Sequence, residues 1–405
     1  MTKAIYLDYA ASTPIDKKVL EAMMPYLKRY YGNPSSAHSF GQKARAAIEQ
    51  ARERATGFLG CKAAEVVFTG GATEANNLAI QGVIKSNPPA GGQNSKPHIV
   101  MTAIEHESVL EPCRTLEREG IAEVTYVKPQ KDGIVRAEDV EKAIQPNTVL
   151  VSIMYANSEI GTIQPIAEIA KAIRSFKSSK FEIRNSKLQA ALPLVHTDAV
   201  QAANFLDCDV QKLGVDLLTL SGHKIYGPKG VGVLYVREGV RVAPVVQGGG
   251  QETGLRSGTE NVAAIVGMGQ ALEALGDPRM AITNIKIRQL RDKLIKTVLR
   301  KVPDCELTGS AQNRLPNNVH FRFRGVEGRD VVIALDQKGI AASTGSACSE
   351  KTQEPSHVLV ALGLEEKESL SALRLTLGKY TKAEDIEKAV RVIAQTVAQL
   401  RKAVV

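Results

Sequence analysis

One pattern recurs through the chain before residue 265: a short run of apolar and β-branched residues, a turn of polar residues or glycine, and a helical stretch. This alternation is the signature of an α/β protein with a mainly parallel sheet. The length of 405 residues also exceeds what one hydrophobic core usually supports. We therefore predict a large sheet domain over residues 15–264, and a smaller α+β domain made of residues 1–14 with residues 265–405.

The pattern changes near residue 265, where long helices and a short sheet replace the earlier alternation. Residues Asn318–Phe323 alternate as a half-buried strand does, and residues 329–338 are typical of a helix that stops at Gly339. The sequence Thr-Lys-Ala-Glu at 381–384 predicts a capping box at the start of the last helix.

Polar or glycine-rich segments follow five of the predicted strands. These segments are Gly70 to Glu74, Glu105 with His106, Asn157, Asp198, and Ser221 to Lys224. Ligands of an open parallel sheet bind beyond the carboxyl ends of its strands. We therefore expect all five segments to contribute to one site at that edge.

Composition argues against several classes of protein. The net charge is +9, but the basic residues are dispersed and aromatic residues make up only 4%, which does not favour direct binding of nucleic acid. The five cysteines lack C-x-x-C or zinc-like spacing, so we expect reduced thiols and no metal. Without an apolar run of membrane-spanning length or a recognisable leader, we expect a cytoplasmic protein.

Lys224 follows an apolar strand and precedes the glycine-rich residues 227–232. A lysine there can be a solvated strand end, but a lysine held in a pocket can lose its proton and attack a carbonyl to form a Schiff base. Pyridoxal phosphate would need, besides this lysine, an anion cup and an acid opposite its ring nitrogen. Gly70 to Thr73 at a helix start could form the cup. Asp198 could be the acid, although a strand-end Asp often only caps a helix or turn.

Beyond these features, the chain resembles the cysteine desulfurases of the NifS/IscS type, from residues 6–14 to residues 373–378. The motifs that carry the resemblance are Asp198 with Gln201, Ser221-Gly-His-Lys224, Gly248-Gly-Gly-Gln-Glu252, Arg256-Ser-Gly-Thr259 and Ser343-Thr-Gly-Ser-Ala-Cys348. Ser-x-His-Lys with an upstream Asp is shared by related pyridoxal enzymes, whereas Gly-Ser-Ala-Cys separates this family from the rest. The resemblance implies the fold of aspartate aminotransferase (fold type I), pyridoxal 5'-phosphate as cofactor, and a homodimer.

The resemblance also implies a role for individual residues. Lys224 would hold the cofactor and move the Cα proton, and His106 would stack on the ring and assist proton transfer. Asp198 would pair with the ring nitrogen and Gln201 with the ring hydroxyl. The residues implied for the phosphate are Ala72, Thr73, Ser221 and His223, with Thr259 supplied by the partner subunit. The residues implied for the substrate carboxylate are Asn157 and Arg374, and Asn157 also counts among the cofactor contacts.

The implied reaction converts L-cysteine to L-alanine and leaves the sulfur as a persulfide on Cys348. The small residues Gly345 to Ala347 and Ser349 suit a thiol that must approach the substrate and then deliver sulfur, because they make few contacts that would fix it. The long segment after Cys348 resembles the housekeeping branch of the family. This implies donation to an acceptor protein such as an iron–sulfur scaffold, or to other thio-cofactor or tRNA thiolation pathways.

Three segments depart from the family pattern. Residues 86–97 and 177–190 are longer than usual, and the charged sequence Ser-Glu-Lys-Thr at 349–352 replaces small residues. Two alternative functions share part of the pattern. A cystine or selenocysteine lyase of the same fold would share Lys224 and Asp198 but not the role of Cys348, and a catalytically silent sulfur-carrier scaffold would keep only the fold.

Overall fold

The computed structural model describes residues 4–87, 96–180, 192–345 and 354–403. The strands, in chain order, are β1 (Ile5–Tyr6), β2 (Val66–Thr69), β3 (His98–Thr102), β4 (Glu123–Val127), β5 (Thr148–Ser152), β6 (Leu194–Asp198), β7 (Leu217–Ser221), β8 (Gly232–Val236), β9 (Cys305–Leu307), β10 (Asn318–Phe323), β11 (Ile340–Ala341) and β12 (Ala372–Thr376). The α-helices are α1 (Lys17–Lys28), α2 (Ser39–Leu59), α3 (Ala72–Ser86), α4 (Glu107–Arg118), α5 (Ala137–Ala143), α6 (Ile166–Lys180), α7 (Val210–Leu213), α8 (Val262–Leu275), α9 (Pro278–Lys301), α10 (Gly328–Gln337), α11 (His357–Ala361), α12 (Glu366–Ser369) and α13 (Ala383–Ala403).

A seven-stranded sheet in the order β2-β8-β7-β6-β5-β3-β4 forms the centre of the larger part of the molecule. Strand β8 is antiparallel to both of its neighbours, β2 and β7, and the remaining pairs are parallel. All strands of this sheet other than β8 therefore run in the same direction. The prediction that five polar segments meet at one edge is confirmed, because β2, β3, β5, β6 and β7 all end there.

Helices cover both faces of this sheet, and the strand residues enter one of two cores on opposite faces. On β8, Val233 and Tyr235 belong to one hydrophobic cluster, whereas Leu234 and Val236 belong to the other. Strands β5 to β8 are buried along their whole length, which explains their nearly continuous apolar sequences. Full burial of each such side chain contributes about 1.5–3 kcal/mol, and this rigid sheet supports the segments at its edge.

The C-terminal elements form a second core around the antiparallel sheet β12-β10-β9 and the helices α9, α10 and α13. The N-terminal segment joins this core, because β1 pairs with β11 and Leu7 lies in the same cluster. The predicted strand Asn318–Phe323 is confirmed, and α10 ends just before Gly339, whose φ is +75°. The division into domains at residues 14/15 and 264/265 stays a prediction.

The start of the last helix differs from the prediction by one residue. Helix α13 begins at Ala383, and the backbone amide of Lys382 donates to the carboxylate of Asp385 at 2.8 Å. The Thr381 hydroxyl oxygen instead accepts from the amide of Gly378 at 3.0 Å. The predicted capping box was wrong because the hydroxyl of Thr381 is bonded to the preceding turn. The carboxylate of Asp385, one residue after Glu384, accepts from the amide at the start of the helix instead.

Candidate active site

A cavity of about 880 Å³ opens at the carboxyl edge of the large sheet. Ten of the predicted site residues line it: Ala72, Thr73, His106, Asn157, Asp198, Gln201, Ser221, His223, Lys224 and Arg374. Thr259 is exposed and lies outside this lining. Cys348 lies outside the described residues, but Gly345, three positions earlier in the sequence, lines the cavity.

Lys224 lies in a single turn of 3-10 helix, Gly222–Lys224, that directly follows β7. Its ammonium nitrogen Nζ donates to the carbonyl oxygens of Ala10 and Ala11 at 2.5 and 2.7 Å. The side-chain nitrogen Nε2 of Gln201 donates to the same Ala10 carbonyl at 3.0 Å. The N-terminal segment therefore lies across the cavity and holds the lysine amine by backbone groups.

The start of α3 provides a site for an anion. Its N-cap residue is Gly71, which has no capping side chain, and the amide of Ala75 is the one that bonds back to Gly71. The amides of Ala72, Thr73 and Glu74 therefore have no acceptor within the helix. Gly71 has a φ of +150°, and a Cβ atom there would meet nothing within 4 Å. Unpaired amides at the positive end of a helix dipole suit a phosphate.

A partly exposed ion pair holds this turn in shape. The carboxylate of Glu74 accepts from the backbone amide of Gly70 at 2.9 Å and from Nε of Arg256 at 2.8 Å. Because Arg256 precedes Thr259 in the Arg-Ser-Gly-Thr motif, this pair connects the start of α3 to the segment that carries Thr259.

Asp198 ends β6 and is buried, with 6% of its surface exposed. One carboxylate oxygen, Oδ2, accepts from Nδ2 of Asn76 at 2.8 Å, and Oδ1 accepts from the amide of Val200 at 3.0 Å. Both partners are donors, so the carboxylate is oriented by the protein and remains able to accept a further proton donor from the cavity.

His106 is the N-cap residue of α4, and its ring nitrogen Nδ1 accepts from the amide of Ser108 at 3.1 Å. Burial lowers the pKa of His106; the charge of Asp198 opposes this shift and the charge of Lys224 adds to it. The imidazole is therefore neutral near pH 7. His223 is also neutral, because burial and the charges of Lys224 and Lys229 lower its pKa to about 4.

Arg374 lies on β12, where its guanidinium reaches several protein oxygens. Nη1 donates to the carbonyls of Ser158 and Gly345 at 3.1 and 2.7 Å, and Nη2 donates to Asp8 at 2.9 Å. Its buried Nε has no hydrogen-bond partner among the described residues. Because Arg374 lines the cavity, its planar guanidinium is suited to hold a small carboxylate.

Asn157 also lines the cavity, but its side chain is occupied by the adjacent turn. Its Oδ1 accepts from the amides of Glu159 and Ile160, and its Nδ2 donates to the carbonyl of Ile104. In this structure Asn157 shapes the wall of the cavity, and its predicted contacts with a ligand stay predictions.

Sequence reasoning missed Asn76 at this site, and it placed Glu105 at the sheet edge without giving it a role. Asn76 is fully buried and contacts Asp198; its one signal was its position one helical turn after Ala72. Glu105 is fully buried beside His106, and its Oε1 accepts from the hydroxyl of Thr102 and the amide of Met154. Burial raises the pKa of Glu105 to about 8, so this carboxyl is largely protonated near pH 7. The carbonyls that hold Lys224 also escaped prediction, because backbone groups have no sequence signature.

Taken together, the donors and acceptors fit a phosphorylated aromatic aldehyde. The unpaired amides of α3 would hold its phosphate, Asp198 a protonated ring nitrogen, and the amine of Lys224 its aldehyde carbon. In the part of the chain that the structure describes, no group of His, Cys, Asp and Glu side chains could hold a metal ion. None of the described helices is both long and apolar enough to cross a membrane.

Comparison with known proteins gives matches over nearly the whole chain. The family model for class-V aminotransferases matches residues 5–389. Cysteine desulfurase IscS of Dictyoglomus turgidum is 44% identical over 99% of this chain and 96% of the relative. Cysteine desulfurase IscS 1 of Archaeoglobus fulgidus is 45% identical over 98% of this chain and 97% of the relative.

Solved structures show the same fold. A NifS-like protein superposes with a TM-score of 0.87 at 34% identity, covering 98% of this chain and 100% of its own. The structure of SspA in complex with cysteine has a TM-score of 0.76 at 37% identity, covering 93% of this chain and 100% of its own.

Proposed function

The chain belongs to the class-V aminotransferase family and, within it, to the cysteine desulfurases of the NifS/IscS type, and from this membership we propose that it converts L-cysteine to L-alanine and transfers the sulfur to Cys348. The observation that carries the proposal is that the amine of Lys224, the carboxylate of Asp198 and the uncapped start of α3 line one cavity. This combination is what a pyridoxal-dependent enzyme requires.

The cofactor in this proposal is pyridoxal 5'-phosphate. When bound, it supplies an electron sink that makes the Cα proton of an amino acid easier to remove. Lys224 would bind its aldehyde and move that proton, while Asp198 would keep the ring nitrogen protonated and Gln201 would bond the ring hydroxyl. His106 would cover one face of the ring. The phosphate would contact Ala72, Thr73, Ser221 and the neutral ring of His223.

The proposed enzyme would act with two partners, a second copy of the same chain and a protein that accepts sulfur. Thr259 is exposed outside the cavity of its own chain, which supports a homodimer in which it contacts the phosphate bound by the partner subunit. Sulfur held on Cys348 would pass to an acceptor protein such as an iron–sulfur scaffold, in the cytoplasm. We keep the division into a large domain, residues 15–264, and a small one as part of this proposal.

The direct test of the function is to incubate the purified protein, loaded with pyridoxal phosphate, with L-cysteine. Without a reductant we expect about one alanine per chain, together with one extra sulfur atom on Cys348 detected by mass spectrometry, because the loaded thiol cannot react again. A thiol reductant should then allow repeated turnover. Alanine formed repeatedly without sulfur on Cys348 would instead favour a lyase, and no alanine at all would refute the proposal.

Arg374 should determine the affinity for the carboxylate of L-cysteine. In Arg374→Lys the charge remains but the planar fork is lost, and a hydrogen bond to a charged group contributes about 1.5–3 kcal/mol. We therefore expect KM for L-cysteine to rise about 10- to 100-fold, with a smaller change in kcat. Steady-state kinetics measure both constants. Arg324→Lys on the surface is the control, and an unchanged KM in Arg374→Lys would contradict the assignment.

A further inference from the structure

A buried chain of hydrogen bonds connects Asp198 to His106, both of which line the cavity. Nδ2 of Asn76 donates to Asp198 Oδ2 at 2.8 Å and to the hydroxyl oxygen of Ser108 at 2.8 Å. The Ser108 hydroxyl in turn lies 2.8 Å from Nδ1 of His106. Asn76 is 0% exposed and Ser108 is 7% exposed, so water does not compete for these bonds.

The direction of each hydrogen bond in this chain follows from the chemistry of its ends. An ionised carboxylate can only accept, so the side-chain amide of Asn76 must turn its nitrogen, and not its oxygen, toward Asp198. That nitrogen carries two hydrogens, and the second points to the oxygen of Ser108. The Ser108 hydroxyl oxygen accepts from Asn76, and its own hydrogen is available for Nδ1 of His106.

A second donor reaches the same ring nitrogen. The backbone amide of Ser108, which can only donate, lies 3.1 Å from Nδ1 of His106. Two donors directed at Nδ1 exclude a proton there, so a neutral His106 carries its proton on Nε2. This arrangement is destabilising at one atom, because the buried Oδ1 of Asn76 has no hydrogen-bond partner among the described residues.

We propose that Asn76 is a positioning residue that holds the carboxylate of Asp198 and, through the Ser108 hydroxyl, keeps His106 in the tautomer with its proton on Nε2. His106 at rest is then a hydrogen-bond donor at Nε2 rather than a base. A proton could be added only at Nδ1, where the amide of Ser108 would have to be displaced. The consequence for catalysis rests on the proposed function, whereas the hydrogen-bonded chain itself does not.

Two kinds of variant separate the links of this chain. Asn76→Leu keeps the branched shape of the side chain but donates to neither partner. Ser108→Ala removes the hydroxyl link alone and keeps the backbone amide, and Ser108→Thr restores a hydroxyl. Asn87→Leu is the matched control, because Asn87 is also buried on the C-terminal side of α3 and its Nδ2 donates to two carbonyls, those of Val83 and Arg241, outside the cavity.

The first readout is the ¹⁵N spectrum of the histidine rings in the full chain without cofactor, with His106 assigned from its loss in His106→Gln. In the unchanged protein we expect the shifts of a single tautomer with an unprotonated Nδ1. Asn76→Leu and Ser108→Ala should both move the Nδ1 shift, because the hydroxyl bond at 2.8 Å is released or lost and the longer bond from the backbone amide remains, whereas Ser108→Thr and Asn87→Leu should not. A mixture in the unchanged protein, or an unaltered Nδ1 shift in Ser108→Ala, would overturn the proposal.

The second readout is the dissociation constant for pyridoxal phosphate, followed by its visible absorption. We expect about a tenfold weaker affinity in Asn76→Leu, because Asp198 loses a donor that orients it, and a change of less than about threefold in Ser108→Ala. Equal affinities in Asn76→Leu and Asn87→Leu would overturn the link to Asp198. Neither readout uses L-cysteine, so a protein that made no alanine would refute the proposed function and leave this inference to be judged separately.

Discussion

Lys224→Ala should reduce alanine formation from L-cysteine by about 10³-fold or more, since proton transfer by a positioned side chain alone contributes about 10²- to 10⁴-fold. This residue would supply both the amine that binds the aldehyde of the cofactor and the group that moves the Cα proton. The substitution also removes the two hydrogen bonds to the carbonyls of Ala10 and Ala11. Alanine released per minute from protein saturated with pyridoxal phosphate measures the effect.

Lys224→Arg distinguishes the chemical role of this lysine from its structural role. Arginine keeps the positive charge and can still donate to the two carbonyls, but its guanidinium stays protonated and is a poor nucleophile. We therefore expect Lys224→Arg to be as inactive as Lys224→Ala while keeping more of the stability of the unchanged protein. The surface variant Lys62→Ala serves as the control. Substantial activity in Lys224→Arg would show that the amine is not the reacting group.

The five strands β2, β3, β5, β6 and β7 could be predicted because all of their residues are buried, which gives them distinctive apolar sequences. The one reversed strand, β8, was not predicted, although the short connection between β7 and β8 indicates an antiparallel pair. Residues 222–231 join β7 to β8, and a parallel crossover needs a dozen or more residues, usually with a helix. The reversed strand does not change the predicted edge. Because β2 is antiparallel to β8, it runs in the same direction as β7 and ends at the same edge.

The site was predictable to the extent that its chemistry depends on side chains in recognisable motifs. Lys224 and Asp198 follow strands whose ends meet, so their proximity followed from the pattern. Asn76 instead lies within a helix, where an asparagine is usually a solvated surface residue. Its burial results from the packing of α3 against α4 and against the large sheet, and such tertiary contacts cannot be read from the local sequence.

Cys348→Ser should lower the rate of alanine formation by about 10²-fold or more while the protein still binds both the cofactor and L-cysteine, because a hydroxyl is a far weaker nucleophile than a thiolate. The other four cysteines are poor substitutes. Burial raises the pKa values of Cys61, Cys208 and Cys305 to about 12 and that of Cys113 further, and none of these thiols lines the cavity.

The position of Cys348 in the chain supports this assignment. Gly345 lines the cavity and is held there, with its carbonyl accepting from Arg374 at 2.7 Å and its amide donating to Ser343 at 3.1 Å. Three peptide units span at most about 11 Å, which keeps residue 348 within reach of the group that Arg374 would bind. Cys305→Ser is the matched control and should retain full activity. If Cys348→Ser released alanine at the unchanged rate, the sulfur would leave by a route that does not involve this thiol.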